Sequence, residues 1–132
     1  MGYQILVVDD SAIIRAAVKK AISMSGLEVK QVFEAGDGLQ ALEVLGHEWI
    51  DIVFADLNMP NMSGLELIEK MSSDNLLISI PVVIVSSEQS QKRIDDLKNR
   101  GIRAYIKKPF RPENFRDVVS EVLGAVGGVC HV

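Results

Sequence analysis

The chain has 132 residues, of which 48% are hydrophobic and 24% are charged, so one globular domain fits it and two large domains do not. Its formal net charge of −4 comes from 14 basic and 18 acidic residues and offers nucleic acid no electrostatic attraction, so direct nucleic-acid binding is not expected. The single cysteine, Cys130, excludes an intramolecular disulfide and suits a reducing compartment.

Short apolar runs alternate with longer amphipathic stretches along the whole chain. In chain order, the pattern predicts a strand at 5–8, a helix at Ala12–Met24, a strand at 29–34, a helix at 39–45 closed by Gly46, a strand at 50–55, a helix at 65–71, a strand at 82–85, a helix at 90–100 stopped by Gly101, a strand at 104–106 and a helix at 111–123. Five strands alternating with five helices predict an α/β fold: a doubly wound, five-stranded parallel sheet with helices on both faces.

We expect neither end of the chain to form a structured domain of its own. The first residues, MGYQILVVDDS, do not resemble a signal peptide, because their apolar run is short, lacks a basic leader and ends in two aspartates. No apolar stretch approaches the length of a membrane span. We therefore expect a cytoplasmic protein without a membrane span, with one domain at 1–124 and a flexible, glycine-rich tail at 125–132.

Polar side chains follow the predicted strands at the edge where the carboxyl ends of parallel strands meet. Asp9 and Asp10 follow the first strand, Asp56 the third, Ser86 the fourth and Lys108 the fifth. Each residue alone is typical of a turn, a helix cap or a solvated surface. Because ligands of such sheets bind outside the carboxyl ends of the strands, the whole set indicates a functional site.

The chemistry of this set predicts a divalent cation and a phosphoryl acceptor. Two carboxylates roughly 4 Å apart repel each other by about 4 kcal/mol at an effective dielectric near 20, and a dication removes that penalty. The donors are oxygens, so Mg²⁺, or Mn²⁺, is expected rather than zinc, with Asp9 and Asp10 as its holders. An ionised carboxylate needs no general base, so the central Asp56 is the predicted nucleophile and Lys108 offsets phosphoryl charge.

Four segments, ILVVDDS, DIVFADLNMPNMSG, PVVIVSSE and AYIKKPF, occur in this order and resemble the receiver domains of bacterial response regulators. The resemblance runs from about Gln4 to Leu123, and the chain length is similar to that of the stand-alone chemotaxis regulators of the family. It implies a flavodoxin-like sheet with strand order 2-1-3-4-5. It also implies phosphorylation of Asp56, with Mg²⁺, by a histidine kinase or a phosphotransfer protein.

The resemblance implies a role for each matching position of the site. Asp10 matches the residue that binds the metal directly, Asp9 the one that binds it through water, and Asp56 the phosphorylated aspartate. The remaining matches are the metal-binding backbone carbonyl of Asn58, the turn residues Pro60 and Gly64, the switch hydroxyl of Ser86, the aromatic Tyr105 whose rotamer follows that switch, the phosphoryl-pairing Lys108, and a cis peptide bond between Lys108 and Pro109. Serine stands at a switch position that is often threonine, which keeps the hydroxyl and loses the β-branch.

The family also implies how the signal leaves the domain. The expected output surface consists of residues 90–100, Tyr105 and residues 111–123, which would bind a downstream protein, in chemotaxis or another pathway.

We expect a monomer that is not an enzyme beyond its own phosphorylation and self-dephosphorylation. Two alternatives stay open: an aspartate-based phosphatase, although Asn58 replaces the carboxylate that such enzymes place two residues after the nucleophile, and a receiver-like interaction module independent of phosphate. Trp49 either packs below the sheet or lies exposed.

Overall fold

The computed structural model describes residues 2–88 and 90–124, so the predicted tail at 125–132 lies outside the described residues. The strands are β1 (Tyr3–Val8), β2 (Val29–Ala35), β3 (Ile52–Ala55), β4 (Val82–Ser86) and β5 (Ala104–Lys107). The helices are α1 (Ala12–Met24), α2 (Gly38–His47), α3 (Gly64–Ser72), α4 (Gln91–Asn99) and α5 (Pro112–Val119). All strand pairs are parallel and their order is β2-β1-β3-β4-β5, which confirms the predicted fold and strand order.

The sheet is buried on both faces because its helices form two layers. Successive strand residues point to opposite faces, so Ile5 and Val7 of β1 join the core under α1 and α5, whereas Leu6 and Val8 join the core under α2, α3 and α4. Between β3 and α5, the rings of Phe54 and Phe115 pack edge to face, with centroids 5.1 Å apart. This two-layer burial explains why the central strands are apolar throughout rather than alternating.

Local side-chain contacts set where most of the helices begin. Ser11 begins α1, since its hydroxyl accepts a hydrogen bond from the backbone N–H of Ile14 at 3.2 Å. Ser63 and Glu66 form a reciprocal capping box at the start of α3. Gly26, with φ of +86°, follows α1 at the predicted position.

Two predicted helix ends were wrong. Gly46 does not close the second helix, because α2 continues through it to His47, and only Gly26 and Gly101 have positive φ among the described glycines. A glycine without a left-handed φ gives the helix no reason to stop. The last helix is α-helical only over Pro112–Val119 and continues as a π-helical turn over Ser120–Gly124, a change of hydrogen-bond register that apolar periodicity does not encode.

Among the five helices, α4 packs least closely against the other elements of the described chain. Only Ile94 and Leu97 are buried in it, as the sequence pattern predicted, and Ser90 caps its first turn.

Trp49, in the loop before β3, is 78% exposed, which decides between the two positions that the sequence left open. Within the described part of the chain, no helix combines the length and the apolar character needed to cross a membrane.

Candidate functional site

The structure brings the three predicted carboxylates together at the carboxyl edge of the sheet. Asp9 and Asp10 follow β1, and Asp56 follows β3, the central strand, which pairs with β1. One oxygen of each carboxylate therefore lies within 4.8 Å of the other two. Asp9 is buried, Asp56 is partly buried and Asp10 is exposed. The backbone N–H of Asp56 donates to the carbonyl of Val8 at 2.9 Å, which ties the two strand ends to each other.

Lys108 places its ammonium group between two of these carboxylates. Its Nζ lies 3.5 Å from Oδ1 of Asp56 and 3.6 Å from Oδ2 of Asp9. The lysine follows β5, and its backbone N–H donates to the carbonyl of Ser86 at 2.9 Å, which extends the β4–β5 pairing by one residue. The peptide bond between Lys108 and Pro109 is cis, as the resemblance implied. One cation therefore neutralises only part of the charge of three carboxylates.

The pKa of Asp56 is raised above its ordinary value of 3.8. Burial is the main cause, because a partly desolvated carboxyl is less stable when ionised, and the charge of Asp9 acts in the same direction. Lys108 opposes both effects and does not cancel them. The positive charge near Asp56 is therefore too small to stabilise its ionised carboxylate fully.

Ser86 and Tyr105 lie on the same face of the sheet, beside the acidic cluster. Ser86 is the last residue of β4 and is buried, and it pairs with Lys107, two residues after Tyr105 on β5. The phenol of Tyr105 donates to the backbone carbonyl of Glu88 at 2.9 Å. Its pKa is raised, chiefly because the ring is partly buried, and the Ser86 hydroxyl acts in the opposite direction. A hydroxyl and a neighbouring aromatic ring thus link the site to the loop before α4.

Asn58 lies two residues after Asp56, in the exposed loop between β3 and α3. The loop turns back at once, since the N–H of Gly64 donates to the carbonyl of Leu57 at 3.0 Å. A Cβ at Gly64 would lie well inside van der Waals contact with the carbonyl oxygen of Asp56, so this position requires glycine for close approach. Pro60 is exposed in the same loop.

A contact that the sequence did not reveal holds this loop in place. The carboxylate of Asp37 accepts hydrogen bonds from the backbone N–H of Gln40 and from the side chain of Asn61, both at 2.8 Å. These bonds, with that of Gln40 first, lower the pKa of Asp37. Asn61 has φ of +64°, a left-handed conformation that asparagine tolerates better than most residues. In the sequence, this contact was indicated only by Asn61, an asparagine two residues before the helix cap Ser63, where a left-handed turn residue is common.

The donor set fits a hard divalent cation. The three clustered carboxylates offer only oxygen, and their spacing allows one ion to contact several of them. Among the residues that the structure describes, no histidine or cysteine joins the cluster. A single ammonium leaves excess negative charge beside a partly buried carboxyl. Magnesium keeps several waters and needs one or two carboxylates, which leaves room for phosphate oxygens. The residues present therefore suit Mg²⁺ better than any soft metal.

Comparison with known proteins decides the family of the chain. The family described as the response regulator receiver domain matches residues 5–120. The chain belongs to this family. The match thus covers all five α-helices and four strands in full, and the first strand from Ile5 onward.

Its similarity to named relatives identifies the type of receiver. The domain is 34% identical to the chemotaxis protein CheY1 of Helicobacter pylori strain J99, over 92% of this chain and 97% of the relative. It is 32% identical to the chemotaxis protein CheY homolog of Campylobacter jejuni (serotype O:23/36, strain 81-176), over 95% of each chain. The protein is therefore a receiver domain of the CheY-like type.

Solved structures share the whole fold. The chemotaxis response regulator CheY4 of Vibrio cholerae superposes with a TM-score of 0.82 at 28% identity, covering 93% of this receiver domain and 100% of that chain. The receiver domain of the sensor histidine kinase PA1611 of Pseudomonas aeruginosa, solved with a magnesium ion coordinated in its active site cleft, gives a TM-score of 0.81 at 18% identity, covering 94% and 99% of the two chains. The second likeness shows the fold alone.

Proposed function

We propose that this receiver domain accepts a phosphoryl group on Asp56 from a histidine kinase or a phosphotransfer protein, and that the modified domain changes its affinity for a partner protein. One observation carries the proposal. The carboxylates of Asp9, Asp10 and Asp56 converge within 4.8 Å, and the Nζ of Lys108 lies 3.5 Å from the proposed acceptor. Asp9, Asp10, Asp56 and the backbone carbonyl of Asn58 would hold Mg²⁺, or Mn²⁺ in its place.

The proposed transfer needs little chemistry from the protein. An oxygen of Asp56 forms a bond to phosphorus while the phosphorus–nitrogen bond of the donor phosphohistidine breaks, and the leaving nitrogen keeps the electron pair. Bound Mg²⁺ supplies positive charge that reduces the repulsion between the carboxylate and the phosphoryl oxygens. Lys108 contributes a second positive charge, since its Nζ lies 3.5 Å from Oδ1 of Asp56, and it would pair with the new phosphoryl group. No general base is required, because Asp56 loses no proton in the step.

The proposed switch runs from Asp56 through Ser86 and Tyr105. A phosphoryl oxygen would accept hydrogen bonds from Ser86 and Lys108, each contributing roughly 1.5–3 kcal/mol. A complete shift between two conformations, from about 1:99 to about 99:1, requires about 5.5 kcal/mol. Two such bonds together contribute roughly 3–6 kcal/mol, which over most of that range is less than a complete shift requires, so a bound partner would complete the change. The thin burial of α4 makes that helix the element that moves most easily.

The output surface in this proposal consists of α4, Tyr105 and α5, where a downstream protein would bind. The CheY-type relatives named above are chemotaxis proteins, which supports a role in chemotaxis. The domain would act as a monomer in the cytoplasm, where a reducing environment suits its one cysteine. It would turn over no external substrate, since Asn58 occupies the position where an aspartate-based phosphatase needs a general acid.

Phosphorylation with a small donor tests the proposal directly. The purified protein is incubated with acetyl phosphate and Mg²⁺, with a matched sample containing EDTA, and both are followed by intact-protein mass spectrometry. We expect one phosphoryl group per chain with Mg²⁺, located on the peptide that contains Asp56, and none with EDTA. Absence of uptake in both samples would contradict the proposal and favour an interaction module independent of phosphate. Continuous hydrolysis of external phosphoesters would favour the phosphatase.

Magnesium is expected to stabilise the fold by binding the native state alone. At a free concentration of about 100 times its Kd, a ligand adds about 2.7 kcal/mol to the free energy of unfolding. Thermal unfolding followed by circular dichroism, with Mg²⁺ or with EDTA, measures this gain. Asp10→Asn should lose most of it, because the metal loses a charged ligand, whereas Asp95→Asn on the exposed face of α4 should keep it. Equal gains in the two variants would place the ion elsewhere.

A further inference from the structure

Arg15 joins the acidic cluster to the edge strand β2. It lies in the first turn of α1, and its guanidinium uses two separate nitrogens. Nη1 donates to the backbone carbonyl of Asp9 at 2.5 Å, and Nε donates to Oε1 of Glu34 at 3.0 Å. The arginine side chain is 20% exposed, and the Glu34 side chain is 38% exposed. Because Arg15 binds the backbone carbonyl of Asp9, the first residue of the acidic pair, it restrains the position of Asp9 directly.

The same strand also holds Asp9 directly. The backbone N–H of Asp9 donates to the carbonyl of Ala35, at the end of β2, at 3.1 Å. On its other side, Oδ1 of Asp9 accepts from the N–H of Ser11 at 2.9 Å. The turn from β1 into α1 is therefore fixed at the amide, the carbonyl and the carboxylate of a single residue. Arg15 binds the carbonyl oxygen, and no backbone N–H of the described sheet residues donates to that oxygen.

The positive charge of Arg15 is neutralised by Glu34, which lies outside the acidic cluster. Glu34 accepts from Arg15 and also from the Nζ of Lys19 at 3.0 Å. These neighbours, with the Lys19 hydrogen bond first, lower the pKa of Glu34 and keep it ionised. The guanidinium is thus paired with a carboxylate outside the acidic cluster, so it orders the turn without competing with a cation for the carboxylates of Asp9 and Asp10.

We propose that Arg15 is a positioning residue of the cation site: by binding the Asp9 carbonyl and Glu34 together, it holds the acidic pair in the arrangement that receives Mg²⁺. The inference rests on the proposed function, because it assigns the acidic pair to a cation. An exposed ion pair contributes little by itself, so the pairing of Arg15 with Glu34 is significant mainly because it orients the guanidinium toward Asp9. Lysine offers one nitrogen in place of the two that span this gap.

Cation affinity, measured apart from phosphorylation, tests this role. Three variants are compared with the unchanged protein: Arg15→Ala, Arg15→Lys and Lys19→Ala. The Kd for Mg²⁺ is taken from amide shifts in an NMR titration at a temperature where every variant is folded, and thermal unfolding is recorded in EDTA. Lys19→Ala is the matched control, because it removes a cation from the same Glu34 without touching Asp9.

We expect Arg15→Ala to weaken Mg²⁺ binding about tenfold, within the range found when a partner that orients a metal ligand is lost. Arg15→Lys should fall between that value and the unchanged protein, and Lys19→Ala should bind normally. Should Arg15→Ala fail to fold, the Kd values for Mg²⁺ of Arg15→Lys and Lys19→Ala are compared instead, and only the arginine variant is expected to bind more weakly. Unchanged Mg²⁺ affinity in both arginine variants, or an equal loss in Lys19→Ala, would overturn the positioning role. Failure of the unchanged protein to bind Mg²⁺ would instead reject the proposed function.

Discussion

Asp56→Asn is expected to take up no phosphoryl group from acetyl phosphate in the presence of Mg²⁺. An amide is a far weaker nucleophile than the carboxylate it replaces, and the Oδ1 of Asp56 lies both within the acidic cluster and 3.5 Å from the Nζ of Lys108. The measurement is the mass of the intact protein after incubation with the donor. Asp95→Asn, on the exposed face of α4, is the control and should be modified as fully as the unchanged protein.

The same substitution is expected to stabilise the protein in EDTA. Burial and the charge of Asp9 raise the pKa of Asp56, so the ionised carboxyl carries a net cost in the folded state at neutral pH. Removing that charge should add on the order of 1 kcal/mol to the free energy of unfolding, because Lys108 already offsets part of the repulsion. The melting temperature should rise by about 4 °C. A variant that loses both uptake and stability would mean that Asp56 serves the fold rather than phosphoryl transfer.

The pH dependence of this stabilisation has a definite sign. The folded-state pKa of Asp56 lies above its ordinary value of 3.8, so its favourable contribution is complete below that value and is lost as pH rises through the folded pKa. In EDTA, the advantage of Asp56→Asn over the unchanged protein should therefore shrink as pH falls from about pH 7 to about pH 4. Melting temperatures across that range measure it, and an advantage that grows on acidification would contradict the assignment.

Gly64→Ala is expected to damage both the fold and the site. The added Cβ would overlap the carbonyl oxygen of Asp56 and crowd the Cα of Leu57, and these backbone atoms cannot move aside as a flexible side chain would. Overpacking of this kind costs typically 1–3 kcal/mol. Since the displaced atom belongs to the proposed acceptor itself, phosphoryl uptake should slow at temperatures where the variant remains folded. Chemical denaturation and the rate of acetyl phosphate labelling measure the two effects.

Gly46→Ala is the matched control for that substitution. Gly46 lies inside α2 without a positive φ, and a Cβ there would meet nothing within 4 Å. Alanine should therefore stabilise the helix by roughly 0.5–1 kcal/mol and leave uptake unchanged. Equal behaviour of the two alanine variants would mean that the close approach at Gly64 is relieved at no cost.

The sheet and the main site residues could be predicted because their signals are local. An apolar run followed by an acidic or hydroxyl residue is visible in the sequence, and parallel strand order places all such residues at one edge. The Asp37–Asn61 and Arg15–Glu34 contacts were missed because each joins elements whose proximity depends on the assembled fold. The Arg15–Asp9 bond is local, but the apolar pattern does not indicate where an arginine side chain turns. The continuation of α2 past Gly46 shows a related limit, since glycine marks a helix end only where the backbone turns left-handed.

The exposure and the position of Trp49 make its indole a weak fluorescent reporter of both unfolding and loading of the site. The indole lies before β3 and Asp56 lies after it, so the strand places this chromophore at the edge of the sheet remote from the acidic cluster. An indole that is already 78% exposed in the folded protein changes its surroundings little on unfolding, and its distance from the cluster should leave its emission unchanged by cation or phosphoryl loading. Because it is the one tryptophan of the chain, its signal needs no deconvolution. Unfolding and cation binding are therefore better followed by circular dichroism and by amide shifts, against a nearly constant Trp49 emission.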